Sequence, residues 1–404
     1  MHVMVVDGFY PQDIRVRKEA ESLASAGISV CVIARWKNDL VRKEIINGVE
    51  IVRIGVNYSH FVKGIHDIFF SLFFIDFIFY FGLKKFVKHN NLQILHVHDL
   101  PLVKTSKIIL GQGGKVILDM HENYPEMLEE LTLSKKGFLK SLKDRLFFNV
   151  KRWKKFEKKI ISVPDHIIVV VDEMKEKLIQ EYSINSEKIT VISNCEKLDF
   201  AHNNEPDNFE FKNDVFYVVY VGGISPVRGL ETVLEAISSF KKRNEKVEFI
   251  IVGSGNQIYL SSLKDFSKHL ECSDKVHFLG HKPFTKINYY IDNAGVNIIP
   301  HIKNEHTDNT IPHKLFQIMM QKAPLIVSNC RPLERIVMNH KAGYLFEASN
   351  SSDLVEKIKD IRNNHPEVIT RVENAYRAVN ETLNWEHESK NLVQLITKYY
   401  GQTN

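Results

Sequence analysis

Short runs of apolar and β-branched residues alternate along the chain with longer stretches in which apolar residues recur every three or four positions. In the first half, the short runs predict buried strands, and helical spacing is clearest over 15–26, which Gly27 closes. The predicted strands of this half are 2–6, 29–34, 49–54, 94–97, 115–119, 166–171 and 189–192. This alternation predicts a parallel sheet with helices on both faces.

A second series of the same kind follows a polar segment that lacks periodicity. Its predicted strands are 215–221, 247–252, 276–279, 296–299, 325–328 and 343–346. Because 404 residues exceed what one core usually supports, we expect two domains. These are an α/β domain at 1–195, a linker at 196–214 and a second α/β domain at 215–384. Two doubly wound sheets in tandem imply a cleft at the carboxyl ends of their strands.

The composition is that of a globular protein, with 44% apolar and 25% charged residues and a mild net charge of +5. The four cysteines are widely separated and include no CxxC pair, so we expect reduced thiols and no metal site built from them. The chain begins with the strand pattern MHVMVV and shows no secretory signal. These features together favour a cytoplasmic protein.

Two segments point toward a membrane surface. Residues 68–83 are dense in phenylalanine, yet they are fewer than the ~20 that a spanning helix needs, and Asp76 interrupts them. They form either a buried helix or a helix with one face toward lipid. The segment 135–160 carries eleven Lys or Arg against Asp144 and Glu157, interleaved with aromatic residues. A basic amphipathic helix on an anionic membrane explains it; a solvated charged face and nucleic-acid binding are the alternatives, and no nucleic-acid module accompanies it.

The turn at 221–230, VGGISPVRGL, connects a predicted buried strand to a predicted helix. Gly222 and Gly223 would expose backbone N–H groups, and Arg228 adds a fixed positive charge. Such a turn is suited to hold a phosphate, although an ordinary loop between strand and helix is the alternative. The next turn, with Gly253 and Gly255, is weaker evidence, because such glycines often serve only the turn itself.

A longer motif at 306–328 predicts a helix that Asn309 or Thr310 caps, with Pro312 in its first turn. Lys314 would lie in that same turn, where the helix dipole and the cation both favour an anion.

Polar residues also follow the strands of the first half. His121 and Glu122 stand where they would contact a substrate hydroxyl; a histidine that only completes internal hydrogen bonds is the alternative. The first loop and the HVHD motif add further candidates at the same edge, which are Gly8, Asp13, Arg15, His98 and Asp99. The histidines and aspartates of these motifs suggest metal ligands, but no further motif completes a site, so we predict no metal.

Several motifs together resemble the retaining glycosyltransferases of family 4. They are VGGISPVRGL, IIVGSGN (250–256), FLGH (278–281), NTIPHKLFQIMMQKAPLIVSNCRPL (309–333), DMHENYPE (119–126) and ITVISNC (189–195). The resemblance implies the GT-B fold: two Rossmann-like doubly wound domains facing across a cleft, with a C-terminal helix, here 385–404, crossing back to the N-terminal domain. It also implies transfer of a sugar from a nucleotide-sugar donor with retention and without a required metal or other cofactor.

The resemblance assigns roles residue by residue. Arg228 stands where the family has a lysine that pairs with the donor phosphates, and Gly223 replaces a second cation, for which Lys314 or Arg15 is a candidate substitute. His121 matches the family's histidine near the transferred sugar. The implied donor-binding residues are Gly222, Gly223, Arg228, Gly253, Gly255, His281, Asn309, Thr310, Lys314 and Gln317. The implied catalytic residues are His121, Arg228 and Asn309, and the acceptor side has Gly8, Asp13, Arg15, His98, Asp99 and Glu122.

One departure concerns the family's paired glutamates, whose positions hold the neutral amides of Asn309 and Gln317.

We expect a hexosyl- or N-acetylhexosaminyltransferase acting on a glycan or polyprenyl-linked acceptor in bacterial surface polysaccharide biosynthesis, peripheral at the inner face of the membrane. Its partners would be the donor, the acceptor and an anionic membrane surface, with no nucleic acid. Another GT-B nucleotide-sugar enzyme, such as a 2-epimerase, and a non-catalytic nucleotide-sugar-binding subunit are the alternatives.

Overall fold

The computed structural model describes residues 1–37, 39–55, 60–121, 123–133, 149–202 and 205–401, with backbone alone at 60–63 and 129–133. The chain forms two compact units. The first comprises Met1–Ser193 and Ser389–Asn404, and the second comprises Asn194–Glu388. Two sequence predictions, Glu122 and the stretch 134–148 of the basic segment, lie outside the described residues.

The first unit is built on an eight-stranded sheet. Its strands are β1 His2–Val6, β2 Val30–Arg35, β3 Lys43–Ile46, β4 Val49–Ile54, β5 Ile94–His98, β6 Lys115–Met120, β7 His166–Val169 and β8 Ile189–Val191. Its helices are α1 Ile14–Ser25, α2 His60–Phe73, α3 Phe77–His89, α4 Val103–Leu110, α5 Tyr124–Leu133, α6 Val150–Ile160 and α7 Asp172–Tyr182. The strand order is β3-β4-β2-β1-β5-β6-β7-β8, and every pair is parallel except β3 with β4.

The central strands of this sheet are buried on both faces, because helices cover each side. All five residues of β1 and of β5 are buried. The strand β3 was missed by the sequence analysis, although Asn47 and Gly48 signal it. Both residues have positive φ, 49° and 79°, in the two-residue turn of the hairpin with β4.

The second unit contains a six-stranded parallel sheet. Its strands are β9 Phe216–Val221, β10 Val247–Val252, β11 Val276–Gly280, β12 Val296–Ile299, β13 Leu325–Ser328 and β14 Tyr344–Phe346. Its helices are α8 Leu230–Lys242, α9 Gln257–His269, α10 Ile287–Asp292, α11 Lys314–Met320, α12 Arg331–His340, α13 Ser351–Asn363 and α14 His365–Glu381. The order β11-β10-β9-β12-β13-β14 is that of a doubly wound fold, whose topological switch point lies between β9 and β12.

The segment 196–214, predicted as a linker, belongs to the second unit. Phe209 and Phe211 pack against the core of that unit, where the ring centroids of Phe211 and Tyr217 are 5.1 Å apart. The Asp207 carboxylate accepts a hydrogen bond from the Tyr290 hydroxyl at 2.9 Å. Burial of these aromatic rings explains why a segment without periodicity is nonetheless ordered against the sheet.

The phenylalanine-rich stretch 68–83 is two helices rather than one. Helix α2 ends at Phe73, and Phe74 adopts a left-handed conformation with φ of 51°. Asp76 is the N-cap of α3, where its carboxylate accepts from the Phe79 N–H at 2.9 Å. A charged residue in an apolar run therefore marks a helix boundary.

The last helix, α15, spans Trp385–Gly401, and its residues from Ser389 onward belong to the first unit. The Tyr399 hydroxyl donates to the Asp165 carbonyl at 3.3 Å, and the Tyr400 hydroxyl donates to the Met1 carbonyl at 3.2 Å. The chain thus enters the second unit near Asn194 and returns to the first through this helix.

Candidate active site

Arg228 lies at the switch point of the second sheet. It ends the short 3-10 turn Pro226–Arg228 after β9, and its guanidinium Nη1 donates to His301 Nε2 at 3.1 Å. His301 follows β12 and is buried. Burial, and then the charge of Arg228, hold the pKa of His301 well below its usual value, so the imidazole is neutral and accepts this hydrogen bond. Ligands of doubly wound sheets bind where two such strand ends diverge.

Lys314 supplies a second cation beside Arg228. Its Nζ is buried and lies 3.9 Å from the centroid of the Tyr220 ring, with no hydrogen-bond partner among the described residues. Burial, and then the charge of Arg228, lower the pKa of Lys314 well below its usual value. A buried ammonium group is costly unless it is paired, so the site calls for an anion.

Gly222 makes room for this ammonium group. A Cβ at residue 222 would lie 2.6 Å from Lys314 Nζ, and the φ of Gly222 is 143°. The Gly222 N–H donates to the Val252 carbonyl at 2.9 Å, so it is already engaged and does not offer the free donor that the sequence predicts. Gly223 has open space around its Cα, with no atom within 4 Å of an added Cβ among the described residues.

Gly253 and Gly255 hold two loops together. An added Cβ would lie 1.8 Å from the Gly222 carbonyl oxygen at Gly253 and 2.0 Å from that of Ile224 at Gly255. These glycines therefore let the loops after β9 and β10 pack in contact. His281 follows β11 at the sheet edge and is exposed.

The helix predicted at Asn309 or Thr310 begins later, with Lys314 as the first residue of α11. The Asn309 Nδ2 donates to the Glu305 carbonyl at 2.7 Å, and the Thr310 hydroxyl donates to the His306 carbonyl at 3.0 Å. Both side chains are thus used in the preceding turn. Pro312 disfavours the helical conformation for the residue before it, which delays the helix start. The caps predicted at these two residues are wrong.

Gln317, one turn into α11, contacts the carboxylate of Glu196, which is not among the residues predicted from the sequence. Its Nε2 donates to Glu196 Oε2 at 2.9 Å, and His313 Nδ1 lies 3.9 Å from the same oxygen. Glu196 is 7% exposed, and its backbone is fixed as well, because its backbone carbonyl accepts from the Trp385 backbone N–H at 2.9 Å. The sequence contains one signal for Glu196, which is that this charged residue follows shortly after a predicted strand. A carboxylate therefore stands beside the neutral amide at residue 317.

In the first unit, the predicted catalytic residue His121 and two predicted acceptor-side residues, His98 and Asp99, come together at the ends of β5 and β6. His98 Nδ1 and His121 Nε2 are 2.9 Å apart, and the His121 N–H donates to Asp99 Oδ1 at 3.0 Å. Burial, and then the charge of His96, lower the pKa of His98 well below its usual value. The side chain of His98 is buried, whereas those of His121 and Asp99 are 10% and 29% accessible, so these two members of the group can contact a ligand.

Arg15, predicted as a candidate second donor cation, is buried in a charge network, where its guanidinium is engaged by carboxylates of the first unit. Its Nη2 donates to both oxygens of Asp119 at 3.1 and 3.2 Å, and its Nε lies 2.9 Å from Glu19 Oε1. Burial, and then the Asp119 charge, raise the pKa of Glu19 well above its usual value, which opposes a second negative charge beside Asp119. Arg15 compensates the negative charge of this pair.

The two other predicted residues of the first loop have local roles. The Asp13 carboxylate caps α1 by accepting from the Val16 N–H at 3.1 Å. The Gly8 carbonyl accepts from the Arg35 N–H at 2.8 Å. Neither has a hydrogen bond to His98 or His121 in the described structure.

Four buried residues of the first unit have a geometry that could hold a metal ion. The ligand atoms of Glu19, His96, His98 and Asp119 lie within 4.8 Å of one another. The sequence analysis weighed the histidines and Asp119 but missed Glu19. The Arg15 guanidinium contacts both carboxylates and supplies the positive charge that an ion would bring. The donor set therefore fits an internal ion-pair network, and the absence of a metal stays a prediction.

Comparison with known proteins places both halves of the chain in one family. Residues 13–199 match the model "Glycosyltransferase Family 4", and residues 202–378 match "Glycosyl transferases group 1". The O-antigen chain mannosyltransferase RfbU of Salmonella typhimurium is 25% identical over 264 residues, which cover 65% of this chain and 63% of that protein. The chain thus spans less than two thirds of this relative's length.

Two solved structures share the fold along the whole chain. Sucrose-phosphate synthase from Thermosynechococcus elongatus superposes with a TM-score of 0.77 at 16% identity, covering 100% of both chains. Anabaena Alr3699/HepE in complex with UDP-glucose superposes with a TM-score of 0.70 at 11% identity, covering 98% of this chain and 100% of that one. With two parallel-sheet α/β units and matches to both family models, the chain belongs to the family 4 glycosyltransferases and has the GT-B fold.

Proposed function

We propose that this protein transfers a sugar, with retention, from a nucleotide-sugar donor to a hydroxyl group of a glycan or lipid-linked acceptor in polysaccharide biosynthesis. The observation that carries the proposal is the buried Lys314 amine, which has no hydrogen-bond partner in the described part of the chain and lies beside Arg228 at the switch point of the second sheet. A diphosphate would pair with both cations at once. Supporting comparisons are the mannosyltransferase named for the O-antigen chain and the HepE structure with UDP-glucose.

In the proposed reaction, the bond between the anomeric carbon and the diphosphate oxygen breaks, and a bond to the acceptor oxygen forms on the same face. The departing diphosphate oxygen takes the proton of the acceptor hydroxyl. Arg228 and Lys314 stabilise the negative charge that develops on the leaving group, which lowers the barrier more than it strengthens donor binding. We propose that these two cations take the charge-neutralising part that a divalent ion plays in other transferases.

We propose that His121 binds a hydroxyl group of the acceptor. Its backbone is fixed by Asp99, and His98 holds one ring nitrogen, so the orientation of the ring is set before a substrate binds. On the donor side, we propose that Glu196 accepts hydrogen bonds from donor hydroxyl groups. Its carboxylate accepts from Gln317 Nε2 at 2.9 Å and from the Lys197 backbone N–H at 3.1 Å, and each of its oxygens can accept a further hydrogen bond.

The test combines a ligand screen with a variant. A panel of nucleotide sugars, read by thermal stabilisation, identifies the donor, because a ligand of the native state raises its apparent stability. With that donor and a glycan acceptor, Arg228→Gln should lower kcat/KM roughly 100-fold while the unfolding midpoint is unchanged. Lys303→Gln, at a half-exposed lysine of the same unit, is the matched control.

Unchanged turnover of Arg228→Gln would contradict the assignment of the leaving-group site. Formation of an isomerised donor without any acceptor would instead identify an epimerase, and binding without turnover for every donor and acceptor would identify a non-catalytic subunit.

A further inference from the structure

Helix α2 presents an apolar stripe to the outside of the first unit. Its exposed residues recur at positions i, i+3, i+4, i+7 and i+8, the spacing that normally faces a core. They are Ile65, Ile68, Phe69, Leu72 and Phe73, between 38% and 54% exposed. Phe69 and Phe73 stack with ring centroids 6.0 Å apart. Within the described ranges, no helix or strand covers this stripe as its pattern calls for.

Helix α3 continues this surface and then changes to positive charge. Phe77 and Phe81 are exposed, Phe81 by 70%, and they lie one turn apart. The exposed lysines Lys84, Lys85 and Lys88 follow on the same side at helical spacing. We call the exposed apolar residues of α2 together with Phe77 and Phe81 the aromatic face. These lysines lie next to the aromatic face, which is the arrangement found on amphipathic helices that lie at a bilayer surface.

The bend between α2 and α3 is fixed by packing. Phe74 stacks on Phe156 of α6 with ring centroids 4.1 Å apart, and it meets Trp153 edge to face at 4.9 Å. The axes of Gly64–Phe73 and Phe77–His89 differ by 76°. Among the residues that the structure describes, no single helix has the length and apolar character to cross a bilayer, and these two meet those criteria only as a bent pair.

A cationic cavity opens beside the aromatic face. Its volume is about 280 Å³, and its lining combines four apolar and four basic residues. They are Leu72, Phe73, Phe74, Phe156, Lys104, Arg152, Lys155 and Lys159. Lys104 Nζ donates to the Phe73 carbonyl at 2.6 Å, and Arg152 Nη2 donates to the Ser71 carbonyl at 2.5 Å, so both cap the end of α2.

The two remaining cations of the cavity are available to a ligand. Lys155 and Lys159 are exposed and lie one turn apart on α6, and neither has an acidic partner within the described part of the chain. Trp153 and Phe156 of this helix are buried and anchor it, and Phe156 also forms part of the apolar wall of the cavity. The lysines thus hold positive charge at the mouth of a cavity with an apolar wall.

We propose that the aromatic face and this cavity bind an anionic lipid bilayer, with the exposed apolar side chains at the acyl boundary and a headgroup phosphate against Lys155 and Lys159. Exposed apolar residues flanked by lysines that have no acidic partner among the described residues complement a negatively charged membrane surface, which offers both phosphate and hydrocarbon. A nucleic acid would match the lysines but leave the aromatic face in water. This proposal is independent of the chemistry of the second unit.

The test measures binding of the full chain to phosphatidylcholine vesicles with and without 30% phosphatidylglycerol, by flotation at low and high salt. Wild type should bind the anionic vesicles and be released by salt, because surface charge is screened. Lys155→Gln with Lys159→Gln should weaken binding roughly 30-fold. The matched control replaces Lys246 and Lys268 of the second unit, whose side chains are 65% and 70% exposed, by Gln.

The apolar part is tested by Leu72→Ser with Phe81→Ser, which should weaken binding roughly 10-fold or more. Ile369→Ser, at a residue of α14 that is 61% exposed, is the control. Unchanged unfolding midpoints show that the variants are folded. Equal binding of neutral and anionic vesicles, equal loss in the controls, or binding to duplex DNA in preference to anionic vesicles would overturn the proposal.

Discussion

At the scale of single residues, the proposed donor site has two cations for which the described residues provide no ion-pair partner. Lys314 is buried against Tyr220, and burial, and then the charge of Arg228, lower its pKa. Around them, His301 and His306 are neutral, because burial, and then the charge of Arg228, lower the pKa of each, to about 4 for His306. The second unit therefore carries a small positive pocket that an anionic ligand would complete.

Glu196 and Gln317 form a pair in which the carboxylate and the amide can be exchanged. We predict that Glu196→Gln weakens binding of the donor roughly 10-fold, because the hydroxyl groups lose a charged acceptor. The double variant Glu196→Gln with Gln317→Glu restores one carboxylate at the pair and should recover most of the loss.

Calorimetric titration measures the affinity for the donor and, separately, for an analogue of the donor that contains 2′,3′-dideoxyribose. The analogue separates ribose hydroxyl groups from those of the transferred sugar: if Glu196 binds the ribose, Glu196→Gln leaves the affinity for the analogue unchanged. Equal affinity of wild type and Glu196→Gln for both ligands would refute the role of Glu196.

At the scale of elements, the first unit joins α1, β5 and β6 through a buried ion pair. Arg15 on α1 reaches Asp119 on β6, and His96 on β5 lies 3.8 Å from the same carboxylate. Burial opposes ionisation of Asp119, but the charge of Arg15 holds the pKa of Asp119 well below its usual value. The network thus fixes the strand ends that carry His98 and His121.

We predict that Arg15→Met destabilises the protein by about 3–5 kcal/mol, since it leaves a buried carboxylate without its cation. Urea unfolding measures the change. Lys18→Met, which removes a buried lysine from the same helix, is the control for loss of a cation from α1. Nucleotide binding should be unaffected, because Arg15 belongs to the first unit. A folded Arg15→Met protein that has wild-type stability but has lost nucleotide binding would return Arg15 to the donor site.

Elements that depend on local pattern are well predicted from the sequence, and contacts between distant residues are not. The strands of both sheets follow from apolar runs such as 215–221, of which Phe216–Val221 is the strand β9. The pairing of Arg228 with His301 spans 73 residues, and that of Gln317 with Glu196 spans 121, so neither leaves a signal in local spacing. The predicted start of α11 was wrong because Asn309, a residue type that often caps helices, lies in a turn that does not continue into a helix.

At the scale of the whole molecule, the two proposed surfaces belong to different units. The cations Arg228 and Lys314 lie in the second unit, whereas the aromatic face and its lysines lie in the first. In the two proposals, lysines bind two kinds of phosphate, a buried one in a donor and an exposed one in a headgroup. Because burial strengthens electrostatic contacts, we expect donor binding to resist salt better than vesicle binding does.

The most direct test of the central claim is calorimetric titration with UDP and GDP at about pH 9, in buffers of different ionisation enthalpy. Burial, and then the charge of Arg228, lower the pKa of Lys314 in the free protein, and a diphosphate that pairs with Lys314 raises the pKa again. Wild type should therefore bind one of the two nucleotides with uptake of protons. Lys314→Met should bind it roughly 10- to 100-fold more weakly and without that uptake, and Lys303→Met should behave as wild type. Equal affinity and equal proton uptake for wild type and Lys314→Met would contradict the account.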